Sequence, residues 1–433
     1  MNRKNIFIIG LNDFNRNKLE ALPGADQFAF HELLTYKEVT EQEEYPVLEL
    51  LQKAEERLSA FDGPIDGVIG YMDFPVSTMV PVLSEKFGLR SASVESFIKC
   101  EHKYWSRMVQ KESIPEHIPN FCIFDPFDDN PHNQITLDYP FWIKPVKSFG
   151  SHLGFKITNR EDLDAALPVI RENVTRISRP FDILLDHLDL DMPEAVSSVS
   201  GHHFLAEELI GGFQCTLEGC MYDNKLYSHG IVDSIRYPDH SVFFRYQYPS
   251  TLPDRVQDEM KEIAEQLLRH IGFNNSAFNM EFFWDLELDK IHMLEVNTRV
   301  AQHHSDLFQK VDGVSNHQFP VDLAVRKLPE IPAGKGRFDV AAAIFHREFE
   351  DAWVESVPDE AKIKELEQRY PGTVIQLDIS PGMNLSDLPE QDSYSFICAL
   401  IYMGAPDQKT LLENYDTCIQ EMDLKGRFHP AKK

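Results

Sequence analysis

The chain has 433 residues, enough for two to four domains with separate cores. Its 70 acidic against 42 basic residues give a formal net charge of −28, which argues against non-specific nucleic-acid binding and against a basic membrane-facing patch. No apolar run reaches membrane-span length, and the basic start MNRKNIFIIGLND has too short an apolar run for a signal peptide. The six cysteines contain no CxxC pair, so they suggest neither a zinc site nor a disulfide framework, and a cytoplasmic protein with reduced thiols is expected.

Residues 4 to about 98 alternate between strands and helices, the pattern of a small parallel α/β unit. Ile6–Ile9 reads as a buried strand. Glu43–Phe61 reads as a helix with Val47, Leu50, Leu51, Ala54 and Leu58 on one face. Gly67–Tyr71 is a further strand, followed by a helix through Val82 and Phe87. Gly10 stands alone before Leu11-Asn12-Asp13, so the sequence offers no GxGxxG loop for a dinucleotide. Asp73 follows a strand end, where open α/β sheets place ligand contacts; a helix N-cap is the equal alternative.

Ser93–Lys111 reads as one helix carrying Lys103, and SIPEHIPNFCIF leads through prolines into a strand. In YPFWIKPVKSFGSHLG, Phe141–Lys144 is a strand, followed by a polar loop with Gly150, Ser151 and Gly154. This chemistry suits phosphate: Lys144 supplies a point charge, and small residues let backbone N–H groups close on an anion. A surface turn is the alternative. Asn159–Ile170 caps and continues as a helix. Met192–His202 reads as a flexible polar connection, and Phe204–Gly212 follows.

Cys215–Tyr237 reads as two strands around an Asp223-Asn224 turn. An aromatic loop with His240 and Arg245 and a helix over Asp254–Ile271 come next. Phe278–Arg299 reads as a β-hairpin. Strand alternation puts Asn279 and Glu281 on one face, and Glu295, Asn297 and Arg299 on one face of the second strand. With the turn centred on Leu288, Glu281 opposes Glu295. Opposed carboxylates repel and call for a cation, and the hard-cation rule favours Mg²⁺; a solvated outer face with an accidental pairing is the alternative.

Beyond it, His303 and His304 are adjacent, and adjacent residues rarely point the same way, so they do not indicate a transition metal. LPEIPAGKGR is a linker. Strands at Val340–Phe345, Val374–Leu377 and Tyr394–Tyr402, with a helix through Leu411, Leu412, Tyr415, Ile419 and Met422, make a small α+β unit.

The order Lys103, Lys144 with its loop, Glu207–Ile210, Glu281 and Glu295-Val296-Asn297-Thr298-Arg299 resembles the ATP-grasp superfamily. The resemblance implies an N-terminal α/β domain over 1–98 and a two-lobed ATP-grasp fold over 99–330. Residues 99–206 include the small lobe and 207–330 form the large lobe. A C-terminal α+β cap over 331–433 looks like that of biotin carboxylases and amino-acid ligases. It further implies Lys103, Lys144, Gly150 and Ser151 on the ATP phosphates, and Glu207, Glu208, Leu209 and Ile210 along the adenine. Gln214 falls where a ribose-binding glutamate is frequent. Glu281, Glu295 and Asn297 would hold one or two Mg²⁺ ions, with Mn²⁺ able to substitute.

Arg299, Arg236 and Lys144 are then the catalytic set, and Asp73, His240, Arg245 and His304 the substrate contacts. The implied activity resembles that of L-amino-acid ligases: a carboxylate is activated as an acyl phosphate and joined to an amine, releasing ADP and phosphate. Its partners are small carboxylates and amines, expected to be amino acids, and homodimers are frequent among such enzymes. A biotin-carboxylase-like reaction with bicarbonate is the alternative. His303 stands where those enzymes carry a glutamate base, and the chain has no MKM attachment motif, both of which count against it.

Overall fold

The computed structural model describes residues 3–40, 42, 44–150, 152–238, 240, 242–388 and 395–432. Within them, β1 (Lys4–Leu11), β2 (Phe28–Thr35) and β3 (Gly67–Gly70) form a parallel sheet in the order β2-β1-β3. The expected helix after β2 spans Val47–Ser59, and its five expected core residues are all buried. It starts behind Pro46 rather than at Glu43, which lies outside the described residues. β2 was not expected, because His31 and Glu32 interrupt its apolar pattern.

The single helix expected over Ser93–Lys111 is two helices, Val94–Glu101 and Lys103–Ser113, broken at His102. His102 has extended backbone dihedrals, and its Nδ1 accepts the Trp105 N–H at 3.1 Å, capping the second helix. Its Nε2 lies 3.1 Å from the Val199 carbonyl, and burial holds the ring down at a pKa of about 4, so it is a neutral cap. The break makes Lys103 the first residue of a new helix.

A second, antiparallel sheet comprises β4 (Phe121–Phe124), β5 (Phe141–Pro145), β6 (Phe155–Ile157) and β7 (Phe204–Glu208), in the order β4-β7-β5-β6. Asn159 caps the helix Arg160–Asn173 as expected, accepting the Asp162 N–H. The stretch read as a flexible connection instead holds a short helix, Glu194–Ser197, and a hydrogen-bonded turn at 200–203.

The largest sheet is antiparallel throughout. It is built from β8 (Phe213–Tyr222), β9 (Lys225–Arg236), β10 (Phe243–Tyr248), β11 (Ser276–Asp285), β12 (Lys290–Asn297) and β13 (Val340–Glu348). A ribbon strand, β14 (Ala352–Val354), precedes the last members, β15 (Val374–Leu377) and β16 (Phe396–Ala405), and pairs with β17 (Phe428–Pro430). The order is β12-β11-β8-β9-β10-β13-β16-β15. The β8–β9 turn is as expected, with Asp223 and Asn224 at φ 48° and 63°. The segment read as an aromatic loop is strand β10, and Tyr394 lies outside the described residues. The strands of the expected C-terminal unit therefore extend the large-lobe sheet rather than standing apart from it.

Alternation divides this sheet into two faces. Cys215, Leu217, Met280 and Phe282 meet Met260, Ile263 and Leu267 of the helix Asp254–Ile271. That helix stops at Gly272, whose φ of 79° gives the left-handed cap. On the opposite face Val232, Tyr248, Ala343 and Tyr402 pack against Leu307 and Phe308 of the helix Gln302–Asp312. Among the described residues no helix is long and apolar enough to cross a membrane.

Candidate nucleotide and metal site

The hairpin pairs as the sequence implies: Glu281 lies opposite Glu295, and Asn279 opposite Asn297. Just beyond Glu281 the register slips, because Phe282 faces Met293 and Leu294 is left as an extra residue on β12. The turn itself closes on the pair Asp285 and Lys290, so its centre falls between Glu287 and Leu288, and the bulge restores the alignment of the two glutamates. β11 also pairs with β8, setting Gln214, Thr216 and Glu218 opposite Phe283, Glu281 and Asn279, so one face carries the polar groups of all three strands.

On this face Asn297 Nδ2 donates to Asn279 Oδ1 at 2.9 Å and to Glu281 Oε1 at 3.4 Å, which turns its carbonyl oxygen away from both. Gln214 Nε2 donates to Glu281 Oε2 at 3.1 Å, and its Oε1 accepts from Arg236 at 2.7 Å. Both ends of the Gln214 amide are thus engaged within the sheet instead of being presented to a ribose. Burial, then the opposed Glu295, pushes Glu281 up to about 7. Burial acts upward on Glu295 as well, but Lys103 and Lys144 outweigh it and hold that carboxyl below the usual range. Two carboxylates and an amide oxygen are the donor set of a hard divalent cation, and the charge crowding at Glu281 is what such an ion would relieve.

The helix Lys103–Ser113 and the small sheet bring the cations. Lys103 Nζ donates to the Ser148 carbonyl at 2.6 Å and stands 3.6 Å from Glu295. Lys144, buried on β5, pairs with Glu207 at 2.9 Å, and Arg107 pairs with the same carboxylate at 2.7 Å. Burial pushes Glu207 upward, but Arg107 and Lys144 together bring it down to about 2. Burial lowers Lys144 despite Glu207. Lys147 is ion-paired with Glu101, whose other oxygen accepts from Thr298 at 2.7 Å. Asp73, Glu101, Lys103, Lys144, Glu295 and Asn297 line one cleft.

Arg299 is gripped from the N-terminal sheet: Asp73 accepts from its Nε at 3.0 Å and from its Nη2 at 2.9 Å. Asp73 is therefore an orienting partner of Arg299, and the helix that follows it shows no side-chain cap from Asp73.

Other expected residues lie differently. Glu207 is spent on the Arg107–Lys144 pair, and Glu208 accepts from Asn120 at 2.9 Å. Leu209 is exposed and Ile210 half-buried. Gly150 takes a φ of 60°, whereas Ser151 lies outside the described residues. Arg245 is buried on β10 with its Nε on Gln247 at 3.1 Å; alternation turns it away from the face that carries Tyr246. His240 stacks on Phe349 at 4.2 Å. His304 is buried with Nδ1 2.9 Å from Glu218, because the helix after Arg299 folds straight back onto the sheet. The sequence reading missed Arg107, Glu101 and Glu218. Only Glu218 had a local signal, its alternation with Gln214 and Thr216 along β8.

Two antiparallel lobes meeting at a cleft, with lysines on one and an acidic hairpin on the other, define an ATP-grasp architecture. Residues 137–306 match the ATP-grasp domain family, and the chain carries an ATP-grasp domain. A D-alanine--D-alanine ligase from Synechococcus sp. (strain RCC307) is 25% identical over 202 residues, covering 46% of this chain and 51% of that protein. The chain thus matches about half the length of this curated relative. Among solved structures, L-amino acid ligase from Bacillus licheniformis superposes with a TM-score of 0.73 at 15% identity, covering 100% of both chains. Carboxyaminoimidazole ribonucleotide synthase from Aspergillus clavatus, complexed with ATP, gives 0.65 at 13% identity, covering 97% of this chain and 98% of that one. At these identities the two structures share the fold.

Proposed function

We propose that this protein is an ATP-dependent carboxylate–amine ligase that joins amino acids through an acyl phosphate and releases ADP and phosphate. The observation that carries the reading is the convergence of Lys103, Lys144, Glu295 and Asn297 around one cleft, whose wall also holds Asp73, the partner of Arg299. ATP and a carboxylate are the substrates, and Mg²⁺ held by Glu281, Glu295 and Asn297 would neutralise phosphate charge. Phosphoryl transfer needs mainly positioning and charge stabilisation, and these residues supply both.

Lys103 and Lys144 hold the phosphates. The fixed Arg299 guanidinium stabilises the phosphoryl group as it passes from ATP to the carboxylate oxygen. Arg236, steadied by Gln214 at 2.7 Å, adds a second positive group beside Glu281. The amine then attacks the acyl carbon, forming the C–N bond and expelling phosphate. No covalent enzyme intermediate is needed.

The test is phosphate release with ATP and Mg²⁺ across the proteinogenic amino acids, singly and in pairs, with bicarbonate plus free biotin in a separate well. Turnover that needs two amino acids, with a condensed product by mass, is the expected result. Turnover with bicarbonate and biotin alone would overturn it.

A further inference from the structure

We propose that Asp125, His202 and His203 form a second metal site, selective for a transition-metal ion of the zinc class. One ring nitrogen from each histidine and one Asp125 carboxylate oxygen lie within 4.8 Å of one another. The adjacent histidines face the same way because they occupy a tight turn, closed by the His203 N–H donating to the Ser200 carbonyl at 3.1 Å. Their rings stack at 4.8 Å with planes 21° apart. The helical pair His303 and His304 diverges instead, one toward Tyr402 and one toward Glu218.

His202 Nε2 stands 3.8 Å from Asp125 Oδ1, and the Ser200 hydroxyl lies 2.8 Å from His202 Nδ1 and 3.0 Å from His203 Nδ1. Ligands on a tetrahedral zinc, at about 2.0–2.1 Å from the metal, are roughly 3.3 Å apart, so the three groups would draw together on binding and leave the fourth position to water. Imidazole nitrogens favour zinc, copper or nickel over Mg²⁺, which separates this site from the carboxylate hairpin. The groups are preset: Phe127 N–H donates to Asp125 Oδ1 at 2.8 Å, and Asp182 accepts the Gly201 N–H at 2.6 Å.

The turn also anchors the root of the phosphate loop. Val146 N–H donates to the His203 carbonyl at 2.8 Å and Lys147 N–H to the Gly201 carbonyl at 3.2 Å. A bound ion would tie the end of β4 to that root.

The experiment uses full-length, tag-free protein, stripped with a chelator and dialysed against zinc in excess Mg²⁺, with bound metal measured by elemental analysis. The wild type is expected to retain one equivalent more zinc than Asp125→Asn/His202→Gln/His203→Gln, and cobalt to give a tetrahedral spectrum only in the wild type. Equal zinc and equal cobalt spectra would overturn the site. Single His202→Gln, at a half-exposed position, replaces the triple variant if that fails to fold.

Discussion

Replacing Glu281 by glutamine should stabilise the protein while abolishing its metal-dependent chemistry. Glu281 is raised from an ordinary 4.5 to about 7 by burial and by Glu295. Each pKa unit corresponds to about 1.4 kcal/mol, so ionised Glu281 costs the fold roughly 3 kcal/mol before screening. The side chain is half-buried, and solvent screening reduces this to about 1–2 kcal/mol.

The sign follows from proton linkage. Between pH 4.5 and 7 the folded state keeps a proton that the unfolded state has lost, so wild-type stability falls as pH rises through that window. Glutamine lacks this penalty. Metal-free Glu281→Gln should therefore melt roughly 1–3 °C above wild type at pH 8 and match it near pH 4.5. Thermal denaturation in chelator at both pH values checks this, with phosphate release measured in parallel. A variant that melts lower at pH 8, or turns over normally, refutes the reasoning.

Lys103→Met should weaken ATP binding by roughly tenfold or more in calorimetry with little change in melting, since Lys103 contacts the loop carbonyl of Ser148 and Glu295. Glu207→Leu leaves Lys144 and Arg107 buried without their anion and should cost about 3–5 kcal/mol in chemical denaturation. Because Glu207 is depressed from 4.5 to about 2, the wild type keeps that pair's contribution above about pH 4.5 and loses it as pH falls toward 2. Gly212→Ala should destabilise by about 1–3 kcal/mol or more, since φ is 109° and a Cβ would come 2.2 Å from the Trp284 carbonyl oxygen; urea denaturation reads this directly.

The hairpin was legible because strand alternation is local: Glu281 and Glu295 face each other even though the register slips beside them. The helix Asp254–Ile271 was legible for a similar reason, its apolar stripe running to a glycine stop. The break at His102 was not, because it depends on Nδ1 capping a backbone N–H, an act of geometry rather than of residue type. Nor could sequence assign Glu207, whose partner Arg107 lies 100 residues away and whose partner Lys144 reaches it only across paired strands. The Asp73–Arg299 pair spans 226 residues and joins two sheets. β10 was missed although Arg245-Tyr246-Gln247-Tyr248 alternates as a strand does, because its polar members, Arg245 and Gln247, are buried against the usual pattern.

In the proposed reaction a substrate carboxylate attacks ATP. With the substrate carboxylate labelled with ¹⁸O, turnover should place one ¹⁸O atom in each released phosphate, because the acyl carbon–oxygen bond breaks when the amine attacks. Unlabelled phosphate formed alongside a condensed product would contradict the account.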